Sequence, residues 1–356
     1  MGREIFSRRT VFGIERLALA LDLGSSHVAV AKGETVPLFR EPSRVAFSFR
    51  TPQQGRAPSP FSEGRMAGAG VLGKEELLRR PQTTRLAAPV SEGRLREFHA
   101  ASQLLAALFQ SHRLTTLRTR FLGGTLMVLV PPDASAAETQ TWVQLGEALN
   151  CGRVRTVDSM NAAVQGLGLD IQEPRGQMVV DIGGGATRVA IYSLGEKAGL
   201  TCVPVGGEHL DLAVQAYIHQ RYRLNLEHEP AENIRMSIGS VFPKARPEFM
   251  EISARDFSTG IVKKVTLDDN EIRDVLLNAC EPIVAAITQT FEQVPPELAA
   301  DVAQGGVTLI GGGALLSGLT SFLAERTGVM FRLAEDPMNT ALRGAVLMLN
   351  HSQHRR

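Results

Sequence analysis

An apolar run in LALALDLGSSHVAVAKG ends at Asp22, passes through the small residues Gly24, Ser25 and Ser26, and resumes as alternation at Val28 and Val30. That pattern predicts a β-hairpin. The device recurs in MVVDIGGGATRVAIYSLG, where Met178 to Val180 lead to Asp181, the turn uses Gly183, Gly184 and Gly185, and Val189 and Ile191 alternate. Between the copies, Leu95, Phe98, Ala101, Leu104, Leu105 and Leu108 repeat at helical spacing and predict a helix over 92–110. Leu126 to Val130, before Pro131, predicts a buried strand, and a helix is expected from Ser135 to Leu149. The stretch Thr51 to Gly70 is rich in Pro, Gly, Ser and Gln and reads as a flexible excursion.

Beyond the second hairpin, Leu210 to Tyr222 is amphipathic, and Pro230 to Ile238 reads as a helix with proline near its first turn. ARDFSTGIVKKVTL alternates as strands, Asp269 to Phe291 predicts a long helix, and GVTLIGGGALLSGLTSFLAERTG reads as strand, triple-glycine turn, helix. Strand-rich segments punctuated by helices in both halves define an α/β protein. A length of 356 residues allows two domains, or one fold built from two halves.

Composition narrows the class. With 44% hydrophobic and 21% charged residues the chain can bury a core and lies outside the signature of disorder. A formal charge of +1 argues against a dedicated nucleic-acid binder. Cys151, Cys202 and Cys280 are far apart, with no CxxC pair, which reads as reduced, cytosolic and free of zinc. No run of about 18 apolar residues and no cleavable leader is present, so neither membrane spanning nor secretion is expected. Arg50 to Arg120 holds 12 basic and 5 acidic residues, whereas Asn225 to Val302 holds 7 and 14, so opposite faces are expected to carry opposite fields.

The chemistry lies in the turns. Residues with little side chain let backbone N–H groups approach phosphate oxygens. The Asp before each turn supplies a carboxylate, and a hydrated Mg²⁺ needs only one or two carboxylates beside phosphate, which Asp22 and Asp181 on facing hairpins could provide. Gly311, Gly312 and Gly313 offer a third close approach at a strand-to-helix junction. Any one such turn alone is more often a tight connection; two related hairpins followed by a third glycine turn point to a nucleotide site.

These residues resemble the superfamily of actin, sugar kinases and heat-shock chaperone ATPases, and within it the bacterial MreB family of actin-like cell-shape proteins. DLGSSHVAVAKG and DIGGGATRVAIYSLG are similar to its phosphate loops, and VGGEHLDLAV, AENIRMSIGSVFP and GVTLIGGGALLSGL to its nucleotide-contacting segments. The resemblance implies an actin-like fold, two duplicated α/β halves around a nucleotide cleft, each with a smaller outer subdomain. In those terms 1–16 is a basic leader, 17–154 with 337–350 the first half (outer subdomain about 33–88) and 155–336 the second (outer subdomain about 208–268). ATP phosphates would meet Gly24, Ser25, Ser26, Gly183, Gly184 and Gly185, and Mg²⁺ would face Asp22 and Asp181. Glu208, Glu232 and Arg235 would lie near ribose and adenine, opposite Gly312 and Gly313. Taken alone, Glu232 and Arg235 at i and i+3 read as an ordinary surface pair.

Departures from the family pattern concern hydrolysis. The chain reads Val157-Asp158-Ser159-Met160-Asn161 where the family positions water with a Glu, so Ser159 stands in place of that carboxylate, with Asp158 the nearest substitute. After the second triple glycine stand Ala186, Thr187 and Arg188 where the family has Thr, Thr and Glu. Slow ATP hydrolysis is therefore expected. The resemblance further implies self-polymerisation beneath the cytoplasmic membrane and cell-wall elongation partners. Ile5, Phe6 and Phe12 among Arg3, Arg8, Arg9 and Arg16 read either as an interfacial helix on anionic lipid or as a disordered leader. Arg118, Arg120, Phe121 and Leu122 read as a membrane-touching tip or a plugged hairpin end. A non-polymerising, nucleotide-locked scaffold and a small-molecule kinase are the rival functions; a chaperone would need a further substrate domain.

Overall fold

A computed structural model describes residues 17–33, 37–48, 65–80, 83–114 and 124–354. The chain runs β1 (Leu17–Leu23), β2 (His27–Ala31), β3 (Phe39–Pro42), β4 (Val45–Ser48), β5 (Arg65–Ala69), α1 (Val71–Arg79), β6 (Thr84–Ala87), β7 (Val90–Ser91), β8 (Arg94–Leu95) and α2 (Phe98–Ser111). It continues through β9 (Gly124–Val130), α3 (Ala136–Glu147), β10 (Arg153–Asp158), α4 (Ser159–Leu167), β11 (Gln177–Ile182), β12 (Thr187–Ser193) and β13 (Glu196–Val203). Next come α5 (Gly207–Tyr222), β14 (Leu224–Asn225), α6 (His228–Ser237), β15 (Phe249–Asp256), β16 (Val262–Asp268) and α7 (Asp269–Glu292). The last elements are α8 (Pro296–Gly305), β17 (Val307–Ile310), a 3₁₀ turn at Gly312–Leu315, α9 (Leu319–Thr327), β18 (Phe331–Leu333) and α10 (Thr340–His354).

Two five-stranded sheets repeat one plan. Their orders are β3-β2-β1-β9-β10 and β13-β12-β11-β17-β18, each with an antiparallel meander followed by two strands parallel to the central one. β1 pairs with β2, placing Asp22 opposite Ala29, and β11 pairs with β12, placing Asp181 opposite Arg188. Two three-stranded sheets, β5-β4-β6 and β14-β15-β16, form the smaller satellites of this plan. The α/β class and the duplicated halves around a cleft expected from the sequence are therefore present.

The central strands are buried on both faces because their alternation is apolar on both. Leu19, Leu21 and Leu23 of β1 enter one core with Leu104, Leu105 and Trp142, while Ala20 faces Leu342, Val346 and Leu349 of α10. Each fully buried Leu-sized side chain contributes about 1.5–3 kcal/mol. α4 divides its faces between the halves: Ala162 joins the core of the first sheet, whereas Met160, Ala163 and Val164 pack on Val179, Tyr192 and Ile310 of the second. α4 and α10 thus lie between the sheets and tie them together. They cross at Gly166 and Gly344, where a methyl group on Gly344 would fall inside the Ala162 carbonyl oxygen. Arg343 seals the crossing by donating to the Gly166 carbonyl, with its Nε at 3.0 Å.

Three expectations are corrected. The helix expected over 92–110 begins at Phe98, because Glu92 and Gly93 adopt positive φ and turn the β7–β8 hairpin. Arg65–Ala69, inside the stretch expected to be a flexible excursion, pairs with β4 as β5; residues 51–64 lie outside the described residues. The third glycine turn does not open an α-helix: it leads into the 3₁₀ turn, and α9 starts only at Leu319. The leader at 1–16 and the tip at Arg118, Arg120, Phe121 and Leu122 also lie outside the described residues.

Because the helix crossing has no room for a β-carbon and its neighbour is backbone, Gly344→Ala should destabilise the protein by at least the roughly 1–3 kcal/mol typical of overpacking. A matching fall in the urea-unfolding midpoint checks this.

Candidate nucleotide cleft

A cavity of about 690 Å³ opens between the sheets, walled by the two hairpin turns, the third glycine turn and the helices α5 and α6. The turns are held from below. Gly24 N–H donates to the His27 carbonyl at 2.9 Å, and Gly183 N–H donates to the Ala186 carbonyl at 2.9 Å, closing both loops alike. Ser25 is buried; its Oγ accepts from Gly93 N–H at 3.1 Å and its carbonyl from Arg44 Nη1 at 2.6 Å. The start of α5 hangs on the second loop, with the N–H groups of Gly207 and Glu208 donating to the carbonyls of Gly183 and Gly184 at 3.0 and 2.8 Å. The Gly311 N–H donates to the Pro337 carbonyl, joining the third turn to the segment before α10.

Across the cleft the two phosphate-loop candidates meet each other directly. A Cβ on Gly184 would lie 2.7 Å from Ser26 Cβ and 3.1 Å from the Ser26 nitrogen. Glycine at 184 therefore serves loop-to-loop approach as well as any ligand. A cross-cleft ion pair reinforces the contact: Arg44 Nη2 donates to Glu208 Oε1 at 2.8 Å, with both side chains largely buried. Glu208 is thus committed in part to closing the cleft.

Glu232 and Arg235 both line the cavity, and the reading of them as a surface pair fails, since Glu232 Oε1 stands 3.9 Å from a guanidinium that is only 11% exposed. The true partner of Arg235 is Asp211, a buried carboxylate reached through Nε at 2.6 Å and Nη2 at 3.4 Å. Burial pushes Asp211 above its ordinary pKa, and the hydrogen bond and charge of Arg235 oppose the rise. Sequence reasoning missed Asp211. The available signal was a carboxylate beside Leu210, Val214 and Ile218, the inward positions of α5.

Asp22 and Asp181 approach each other at the floor of the cavity. Burial raises both above the ordinary value of 3.8; Arg40 chiefly opposes the rise at Asp22, the charge of Asp181 adds to it, and Arg188 opposes it at Asp181. His27, also on the wall, is pushed down by burial and by Arg40, and so is held neutral. The two carboxylates were expected to share Mg²⁺. Register instead sets Arg188 directly across from Asp181, and its Nη1 donates to Asp181 Oδ2 at 3.2 Å. A divalent cation bridging both carboxylates would have to sit against a tethered positive charge, so the residues do not fit a two-carboxylate magnesium site.

The residues expected to act in hydrolysis are separated. Ser159 lines the cavity, and its buried Oγ has no hydrogen-bond partner among the described residues. Asp158 is not on the wall: one oxygen caps α4 by accepting from Met160 N–H at 2.8 Å and Asn161 N–H at 3.3 Å, and the other contacts Lys197. Its carboxylate is therefore spent on structure and is not placed to substitute for the missing glutamate. Thr187 is buried with its hydroxyl donating to the Val205 carbonyl at 2.7 Å, also away from the wall. Gly312 and Gly313 do line the cavity, near Leu315, Met338 and Ala341, which give that end an apolar surface. Trp142 is buried on the cavity wall from α3. Among the described residues no cluster of ligating side chains has the make-up of a further metal centre, and no helix is long and apolar enough to cross a membrane.

A duplicated α/β fold closing glycine-rich turns around one cleft defines the actin-like class. Residues 16–356 match the MreB/Mbl protein family, and the chain belongs to it. It is 34% identical to the cell shape-determining protein MreB of Escherichia coli over 328 residues, 92% of this chain and 91% of the relative. The solved MreB5 of Spiroplasma citri bound to AMPPNP superposes with a TM-score of 0.85 at 25% identity, over 96% of this chain and 98% of that one. A MamK double helical filament shares the fold at a TM-score of 0.72 and 21% identity, over 94% and 99% of the two chains.

The raised pKa of Asp22 has a consequence for stability. A carboxyl group raised on folding contributes stability that is fully present below its ordinary value of 3.8 and is lost as pH climbs through the raised value. Asp22→Asn should therefore raise the melting temperature of the nucleotide-free protein at pH 7 and flatten its dependence on pH above that ordinary value. Thermal melts of both proteins across the acid range check the sign.

Proposed function

We propose that the chain binds ATP in the cleft and that the bound nucleotide favours a closed subunit which assembles end to end into a filament. The filament would lie peripherally on the inner face of the cytoplasmic membrane and organise cell shape and cell-wall growth with elongation proteins. The observation that carries this reading is the meeting of two Asp-Gly turns, one from each sheet, with a third glycine turn beside them on a single cavity. Backbone N–H groups of Gly24 to Ser26 and Gly183 to Gly185 would face phosphate, Glu208, Glu232 and Arg235 the ribose, and Gly312 and Gly313 the base. Family membership and the nucleotide named for MreB5 support ATP as the ligand.

A ligand that contacts both loops stabilises the closed arrangement by its differential affinity for it, which is how a nucleotide biases assembly. Exposed apolar side chains support contacts between copies: Phe249, Phe257 and Ile261 around the β15–β16 hairpin are each 64% exposed. Hydrolysis is slow in this reading because Ser159 cannot take a proton from water as a carboxylate does, a role worth about 10²- to 10⁴-fold. That same feature favours a non-polymerising, nucleotide-locked scaffold as the second reading, since a subunit that keeps its ATP does not cycle between the states that drive assembly and disassembly.

Pelleting separates the two. ATP should increase the sedimented fraction of wild-type protein, Gly184→Val should abolish both ATP binding and the increase, and Ser159→Glu should raise phosphate release. Pelleting that ignores ATP while binding persists supports the scaffold, and unchanged affinity in folded Gly184→Val would remove the site.

The leader supports membrane attachment through three apolar side chains among four arginines. Burial and about 1 kcal/mol per Arg near an anionic surface give a monomer only reversible affinity, which linked copies multiply. Liposome flotation should show binding that requires anionic lipid, falls with salt and weakens on deletion of residues 1–12. Equal recovery of both proteins would return those residues to a disordered leader.

A further inference from the structure

The two hairpins that build the cleft share one plan and differ in charge at one register position. Seven residues after each loop Asp, on the strand directly opposite it, the first hairpin carries Ala29 and the second carries Arg188. One half has thus gained a cation at the place where the other has a buried methyl group. The guanidinium is only 15% exposed, lies on the cavity wall and is oriented by Asp181. It also spans the cleft: its Nη2 is 2.8 Å from where a side chain on Gly93, in the first half, would begin, and its Nη1 is 3.9 Å from the same point on Gly183.

The other guanidinium groups on the wall are committed elsewhere. Arg40 donates to the Met338 carbonyl at 3.1 Å and Asn339 Oδ1 at 2.6 Å. Arg44 serves the Ser25 and Ser43 carbonyls and Glu208, and Arg235 grips Asp211 by two bonds. Among the described residues Arg188 makes a single hydrogen bond, to Asp181, of the five its N–H groups allow. A planar, permanently charged fork beside a glycine turn suits phosphate oxygens, and low exposure strengthens the attraction.

We propose that Arg188 is the chain's own counter-ion for a bound polyphosphate, replacing the divalent cation, so that nucleotide binds without Mg²⁺. The proposal rests on the nucleotide reading above. Asp181 then holds a guanidinium in place instead of holding water around a metal.

Calorimetric titration of the full chain with ATP, once in Mg²⁺ and once in EDTA, tests it. Wild-type affinity should change by less than about threefold between the buffers, and Arg188→Gln should lose about tenfold or more in EDTA, the size of one charge-assisted hydrogen bond. Arg188→Lys, which keeps the charge, should recover most of that loss. A wild-type protein that loses more than about threefold in EDTA overturns the proposal, as does Arg188→Gln binding like wild type in EDTA. The wild-type comparison needs no variant, so the outcome stands even if Arg188→Gln fails to fold. Absence of ATP binding in both buffers overturns the nucleotide reading itself, a result distinct from binding that depends on Mg²⁺.

Discussion

Bare glycine backbone meets a small serine where the two halves face each other: Gly184 lies against Ser26 more closely than a side chain would permit. The rest of the cleft is arranged around that contact. Because the turns have no bulk of their own, they are braced from outside, by Arg44 and the Gly93 N–H on one side and by the first turn of α5 on the other. Because they approach so closely, the carboxylates just below them lose much of their water, and the charge of Asp181 adds to the cost of ionising Asp22. Arginines then appear wherever that cost has to be offset.

The duplication explains why so much of this was legible in the chain. A strand buried on both faces leaves an apolar run that breaks only at its turn, so both hairpins, with their Asp and glycine positions, stand out in the linear pattern. The helix after Ser135 and the long helix from Asp269 also stand out in the linear pattern, and in the structure each is opened by a capping box. Pairings between distant segments were not legible. Arg44 with Glu208, Arg235 with Asp211, and Asp158 with Lys197 depend on how separate elements are brought together. The helical pattern over 92–110 misled because Leu95 keeps the spacing while Glu92 and Gly93 turn a hairpin, and periodicity carries no information about the sign of φ.

Arg188 shows how a residue can be visible and still misread. The sequence exposes it as a reversal of charge after the glycine turn, but only the register with Asp181 turns that reversal into an ion pair at the cleft floor. The turns of the cleft and the groups expected to act in hydrolysis also differ in how they are placed. The turns keep their small residues and their mutual contact, whereas Ser159 offers an unpartnered hydroxyl and Asp158 is built into the end of a helix.

Trp142 is the chain's one tryptophan, and it sits on the cavity wall under the strands of the first sheet. An indole buried in a dry core emits at shorter wavelength than one in contact with water or charge. The ring packs with Leu104, Leu105 and Leu145 in the core of the first half, and no second tryptophan elsewhere dilutes its signal. The protein therefore carries a built-in optical gauge of its first half, since loss of that core would redden the emission, readable in solution without a dye and without altering a residue.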